Sequence, residues 1–116
     1  MTSVIALSAL PTPVATYFAY AAGDEAGQAA ELFLADSTVT DDGHTHRGHD
    51  AIRNWLNRST NEYTFTTTAV RAEQDGTATV VTNHLEGNFP GCEVDLRYRF
   101  ELDQQETRIQ DLVIAP

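Results

Sequence analysis

The second half of the chain constrains the fold most. Residues 63–115 hold four β-prone runs: "YTFTTTAVRAE" (63–73), "TATVVTNHLEGNF" (77–89), "EVDLRYRFEL" (93–102) and "RIQDLVIA" (108–115). Asp75-Gly76, "PGC" (90–92) and a polar break separate them. Connections this short join antiparallel neighbours, because a parallel crossover needs about a dozen residues or more. The run at 93–102 alternates throughout. Val94, Leu96, Tyr98, Phe100 and Leu102 share one face; Asp95, Arg97, Arg99 and Glu101 share the other. A sheet with one apolar face has to be covered, and the first half of the chain must supply the cover.

Three helical segments are available for that. "PTPVATYFAYAA" (11–22) opens on prolines suited to a first helical turn. It spaces Val14, Tyr17, Phe18 and Ala21 as i, i+3, i+4, i+7, and Gly23-Asp24 ends it. Residues 25–34 read as a second helix with Ala29, Leu32 and Phe33 on its apolar stripe. Gly27 weakens that helix by about 1 kcal/mol relative to alanine. In "HDAIRNWLNRS" (49–59), Asp50 suits a helix N-terminus and Ile52, Trp55 and Leu56 form the buried stripe. Between the second and third helices, "STVTDDGHTHR" (37–47) reads as a β-hairpin. Its turn is Asp42-Gly43, a dipeptide favoured where both central residues need positive φ. The order α-α-β-β-α-β-β-β-β predicts one α+β domain over residues 1–116. A curved, mostly antiparallel sheet wraps around the helices into a conical barrel, whose open end is a natural small-molecule pocket.

Composition narrows the partners. The net charge is −10, and all seven basic residues are arginines. Such a surface repels phosphate backbones and anionic lipid, so neither nucleic acid nor a membrane is an expected partner. Cys92 is the only cysteine, so no intrachain disulfide forms. The apolar "VIALSAL" (4–10) has no preceding basic residue and is too short to span a bilayer. A cytoplasmic location is the expectation.

The segments "PVATYFAYAAGD", "LFLADSTVTDDG", "HRGHDAIRNWL", "EGNFPG" and "VDLRYRFEL", in this order, cover nearly the whole chain. With them the sequence resembles the nuclear transport factor 2-like superfamily and, within it, the SnoaL-like group. The resemblance implies the same conical α+β barrel, a pocket at its open end, and homodimerisation through the sheet. It does not imply one activity, since relatives include ketosteroid isomerases, polyketide cyclases, dehydratases, epoxide hydrolases and non-enzymes.

The stretch "DDGHTHRGHD" (41–50) carries the densest polar chemistry. With Asp42-Gly43 as the turn, Asp41 pairs with His44 and Val39 with His46, and all four share one face. Val39 marks that face as inward. Burial raises a carboxylate pKa and an adjacent imidazolium lowers it, so an aspartate–histidine pair is a tunable acid–base unit. The resemblance adds roles. Ketosteroid isomerases carry a general-base aspartate at the end of the first strand, where Asp41 falls. They carry an oxyanion-stabilising tyrosine in the first helix, where Tyr17 falls. Their second acid, on a late strand, has Leu96 in its place here; Asp95 is adjacent but on the opposite face.

His84 is a further acid–base candidate. Thr82, His84 and Glu86 share one face of its strand and Val81, Asn83 and Leu85 the other, which leaves its orientation open. Tyr17, Phe18, Phe33, Val39, Trp55 and Tyr98 are expected to contact a small hydrophobic ligand. His44 and His46, with His49 or Asp41, could share a metal, but they match no ligand array of known spacing; no metal or other cofactor is expected. Two functions follow. One is a proton-transfer enzyme of isomerase, cyclase or dehydratase type acting on a hydrophobic carbonyl compound. The other is a non-catalytic ligand-binding or dimerisation domain. Arg97, Arg99, Asp95 and Glu101, at alternate positions on the outer face and of mixed charge, suit a homodimer interface.

Overall fold

The computed structural model describes residues 2–21, 26–62 and 65–116. Its strands are β1 (Thr2–Ile5), β2 (Phe33–Asp41), β3 (His44–Arg47), β4 (Phe65–Asp75), β5 (Ala78–Gly87), β6 (Glu93–Leu102) and β7 (Ile109–Ala115). They form one sheet in the order β1-β4-β5-β6-β7-β2-β3. The meander β4 to β7 is antiparallel, as its short turns require. β2 joins it parallel to β7, and the sheet does not close between its edges β1 and β3.

Helix α1 (Thr12–Ala21) and helix α2 (His49–Glu62) lie where the apolar spacing puts them. Val14 and Tyr17 of α1 and Ile52, Trp55 and Leu56 of α2 are buried, against Phe100, Ile109 and Leu112 of the sheet. The Gly23-Asp24 break lies outside the described residues.

Two elements differ from expectation. The second helix is a 3-10 segment, Ala26–Leu32, and Phe33 already belongs to β2. Parallel pairing of Phe33 with Ile109 draws that end of the segment into the sheet. Gly27 has a packing role instead: a Cβ there would stand 2.8 Å from Asn57 Oδ1 of α2. The other difference is β1, which "TSVI" forms by pairing with β4 at the sheet edge. A bulge follows Phe33, where the Ser37 hydroxyl accepts from Leu34 N–H at 2.8 Å and donates to the Ile109 carbonyl at 2.7 Å. These bonds satisfy the buried polar groups of the irregularity and set β2 in the register that brings Asp41 to its end.

Candidate functional site

The site is built around the β2–β3 hairpin. Asp42 and Gly43 both have positive φ, 51° and 76°, the conformation a two-residue type I′ turn demands. The register is therefore Asp41 opposite His44 and Val39 opposite His46. The Trp55 indole, projecting from α2, donates its Nε1–H to Asp41 Oδ2 at 3.0 Å. The same ring stacks on His46, with centroids 6.1 Å apart and planes 27° from parallel. One buried aromatic thus fixes the rotamer of Asp41 and roofs His46.

Beyond Asp41 lies a cavity of about 430 Å³, within the range of small-molecule sites. Aliphatic and aromatic groups dominate its wall: Leu10 and Phe18 near α1, Leu56 of α2, and Phe65, Leu85, Leu96 and Ile114 of the sheet. Six of its lining residues carry polar side-chain atoms: Asp41, Tyr17, Tyr98, Asn83, Thr67 and Trp55, whose indole N–H is given to Asp41. Burial raises the Tyr17 phenol well above its ordinary value, reinforced by Tyr98 and Asp41. Burial and the Asp41 charge push Tyr98 up to about 12. Both phenols therefore stay protonated around neutral pH and can donate hydrogen bonds. Tyr17 packs edge-on against Phe18, Phe33 and Phe100, so its ring is held on three sides.

The predicted residues separate into three places. Asp41, Tyr17, Phe18, Trp55 and Tyr98 meet at the cavity. His44 and His46 line a neighbouring polar cleft of about 440 Å³, with Asp42, Thr45 and Arg58; Asp41 and Trp55 form the wall between the two spaces. Phe33 and Val39 are not among the cavity-lining residues: at 1% and 0% exposure they are core, packed behind the wall. His84 is on the outer face of the sheet. The inward side of β5 is taken by Val81, Asn83 and Leu85, all buried, so alternation turns His84 away. His49 donates its Nε2–H to the Phe33 carbonyl at 2.7 Å, a bond that ties α2 to the start of β2. Asn83, Leu10 and Phe65 were not anticipated as lining residues. For Asn83 the signal was present, since aliphatic residues flank it at both i−2 and i+2.

Outside the cavity, His84 stands among three carboxylates. Its Nδ1 is 2.6 Å from Asp95, and its Nε2 is 3.1 Å from Glu86 and 3.3 Å from Glu93. Hydrogen bonds to Asp95 and Glu86 raise its pKa. Among the described residues, His84, Glu86 and Glu93 are the group whose ligand atoms lie close enough, within 4.8 Å, to hold a cation. His46 shifts the other way, lowered by burial and then by the Arg58 charge. An NMR titration of the four histidines should accordingly place the His84 midpoint above, and that of His46 below, the ordinary value of about 6.5. Since folding raises the His84 pKa, its contribution to stability is present below the unfolded midpoint and is lost as pH climbs through the folded one. Equal midpoints for these two rings would contradict the geometry of both.

The profile of the SnoaL-like domain matches residues 14–111. Among curated proteins none matches this sequence. Solved structures do. A candidate polyketide cyclase from Sinorhizobium meliloti is 28% identical, with a TM-score of 0.86 over 96% of this chain and 100% of that one. A protein of ketosteroid isomerase-like fold from Catenulispora acidiphila is 20% identical, with a TM-score of 0.78 over 91% of this chain and 85% of the other. A candidate SnoaL-like polyketide cyclase from Shewanella putrefaciens is 16% identical, with a TM-score of 0.66 over 88% and 85%.

Proposed function

The chain belongs to the SnoaL-like domain family, and on that premise we propose that it binds a small hydrophobic carbonyl compound in the 430 Å³ cavity and moves a proton at the carbon next to the carbonyl. The observation that carries this reading is the Asp41 carboxylate, held by the Trp55 indole at the edge of an apolar cavity that also contains two protonated phenols.

Asp41 is the base. It takes a proton from the α-carbon, the C–H electron pair moves into the new carbon–carbon double bond, and the carbonyl oxygen gains the negative charge. Tyr17, with Tyr98 beside it, donates to that oxygen, and the apolar wall strengthens such a bond by excluding water. Returning the proton to another carbon gives an isomerase; attack of the enolate on a second carbonyl gives a cyclase. His44 and His46, across the Trp55 wall, serve as proton acceptors on the solvent side rather than as ligand contacts. The Sinorhizobium meliloti relative, described as a candidate polyketide cyclase, is consistent with this chemistry.

The test needs no knowledge of the natural substrate. In D₂O, the α-protons of 2-tetralone should exchange faster with the protein than with buffer alone, as read by NMR. Saturable binding without any acceleration would make the chain the non-catalytic ligand-binding domain instead. Among the described residues no helix is long and apolar enough to cross a membrane, and the reading retains a cytoplasmic homodimer formed through the sheet. On the outer face Arg99 already pairs with Asp75 at 2.8 Å and Glu101 at 3.9 Å. Sedimentation at micromolar concentration should give the mass of two chains; a monomer there removes the dimer from the reading.

A further inference from the structure

One polar group of the cavity has no part in the chemistry above. Asn83 sits mid-strand in β5, opposite Leu96 of β6, and is 1% exposed. Asn83 is one of the cavity-lining residues, and its buried Nδ2 has no hydrogen-bond partner among the described residues. Burying an amide without a partner is destabilising, and native proteins rarely do it without a reason. Folding supplies none here: Val81 and Leu85, the neighbours on the same face, are aliphatic, and a leucine of similar volume would fill the position without the penalty. A ligand acceptor would satisfy the group.

We propose that Asn83 is the ligand's polar anchor: its amide NH₂ donates to the carbonyl oxygen of the bound compound and selects that compound over the corresponding hydrocarbon. The inference rests on the cavity being the binding site, as proposed above, and adds the residue that sets ligand class and orientation. An amide suits that task because it is a donor at every physiological pH and carries no charge to desolvate. The tyrosines differ in kind, since a hydroxyl both donates and accepts and would tolerate an alcohol as readily as a ketone. Donation from Asn83 also draws electron density from the carbonyl, which acidifies the adjacent C–H that Asp41 attacks.

The experiment compares 2-tetralone with tetralin, the same bicyclic frame without the carbonyl. The wild-type protein should bind the ketone more tightly by about tenfold, the worth of one good hydrogen bond. In Asn83→Leu the preference should shrink severalfold, to what the tyrosine hydroxyls alone supply, while the melting temperature stays level or rises because the unpaired amide is gone. A stability role would move the other way, with a lower melting temperature and an unchanged preference. Should Asn83→Leu not fold, the wild-type protein still answers: the Asn83 side-chain NH₂ resonances should shift with 2-tetralone and stay in place with tetralin. An undiminished ketone preference in Asn83→Leu, or no preference in the wild type, overturns the anchor. The two proposals fail separately. Ketone preference that depends on Asn83, without any α-proton exchange, leaves the anchor standing and removes proton transfer. If neither compound binds, both fall.

Discussion

Trp55→Ala will lower the stability of the folded protein by about 3–5 kcal/mol, the usual cost of truncating a buried tryptophan. Trp55 is 6% exposed and belongs to the central core, where α2 meets the sheet. Removing the indole opens a void that the flanking Ile52 and Leu56 cannot close, because both are already packed. A domain of this size has roughly 5–15 kcal/mol in all, so the loss is about a fifth of it or more. The melting temperature should fall by roughly 10–20 °C. Trp55→Phe separates packing from hydrogen bonding: it keeps most of the ring, loses the Nε1–H bond to Asp41, and should cost about 1–2 kcal/mol. Urea unfolding of the three proteins measures both steps. A loss under about 1 kcal/mol in Trp55→Ala would place the ring at a rim that the core does not depend on.

That Trp55 is buried was legible from spacing alone, and so was much of the rest. The alternation at 93–102 fixed the inner face of β6, and the Asp42-Gly43 turn fixed the hairpin register, because each depends only on neighbours in sequence. What was not legible depends on distant partners. Residues 25–34 have a helical apolar spacing, but Phe33 is claimed by Ile109 of β7, far along the chain. β1 has no periodicity to read, since Thr2, Ser3 and Val4 at the sheet edge are exposed.

The site divides in the same way. Asp41, Tyr17 and Trp55 converge because a local turn and two helical stripes aim them. The orientation of β5 is left open by a histidine on one face and an asparagine on the other, which both look like site residues; the aliphatic Val81 and Leu85 beside Asn83 are the weak signal that favours its face as the inner one. The pairing of β5 with β4 and β6 turns Asn83 inward and His84 outward to its carboxylates. Val39 correctly marked the inward face, but two residue pairs further from the turn than Asp41 it is already core rather than cavity wall.

Asp41→Asn is the substitution that decides the chemistry. Asparagine keeps the shape of the side chain and, through its carbonyl oxygen, can still accept from the Trp55 indole, so the wall between cavity and cleft should remain. What it loses is the capacity to take a proton. Positioned proton transfer contributes roughly 10²–10⁴-fold, so protein-catalysed deuterium exchange into 2-tetralone should fall by at least that range. Binding should respond in the opposite sense to an enolate mimic. After proton transfer the intermediate state has a neutral Asp41 beside an anionic oxygen, and the neutral asparagine imitates that state. A 2-naphtholate anion should therefore bind Asp41→Asn as tightly as the wild type or more tightly, because a carboxylate no longer faces it. The two signs together distinguish a base from a binding group. A carboxylate that merely positioned the ligand would lose affinity and exchange in parallel, since the interaction lost would be present in both ground and transition states. A turn residue bonding only the hairpin would leave exchange unchanged and shift stability by on the order of 1 kcal/mol. Full exchange activity in Asp41→Asn would remove Asp41 as the base. His84, on the outer face of the sheet and bound to Asp95, could not replace it; the proton acceptor would then have to be His46, reached past the edge of the Trp55 ring on which it stacks.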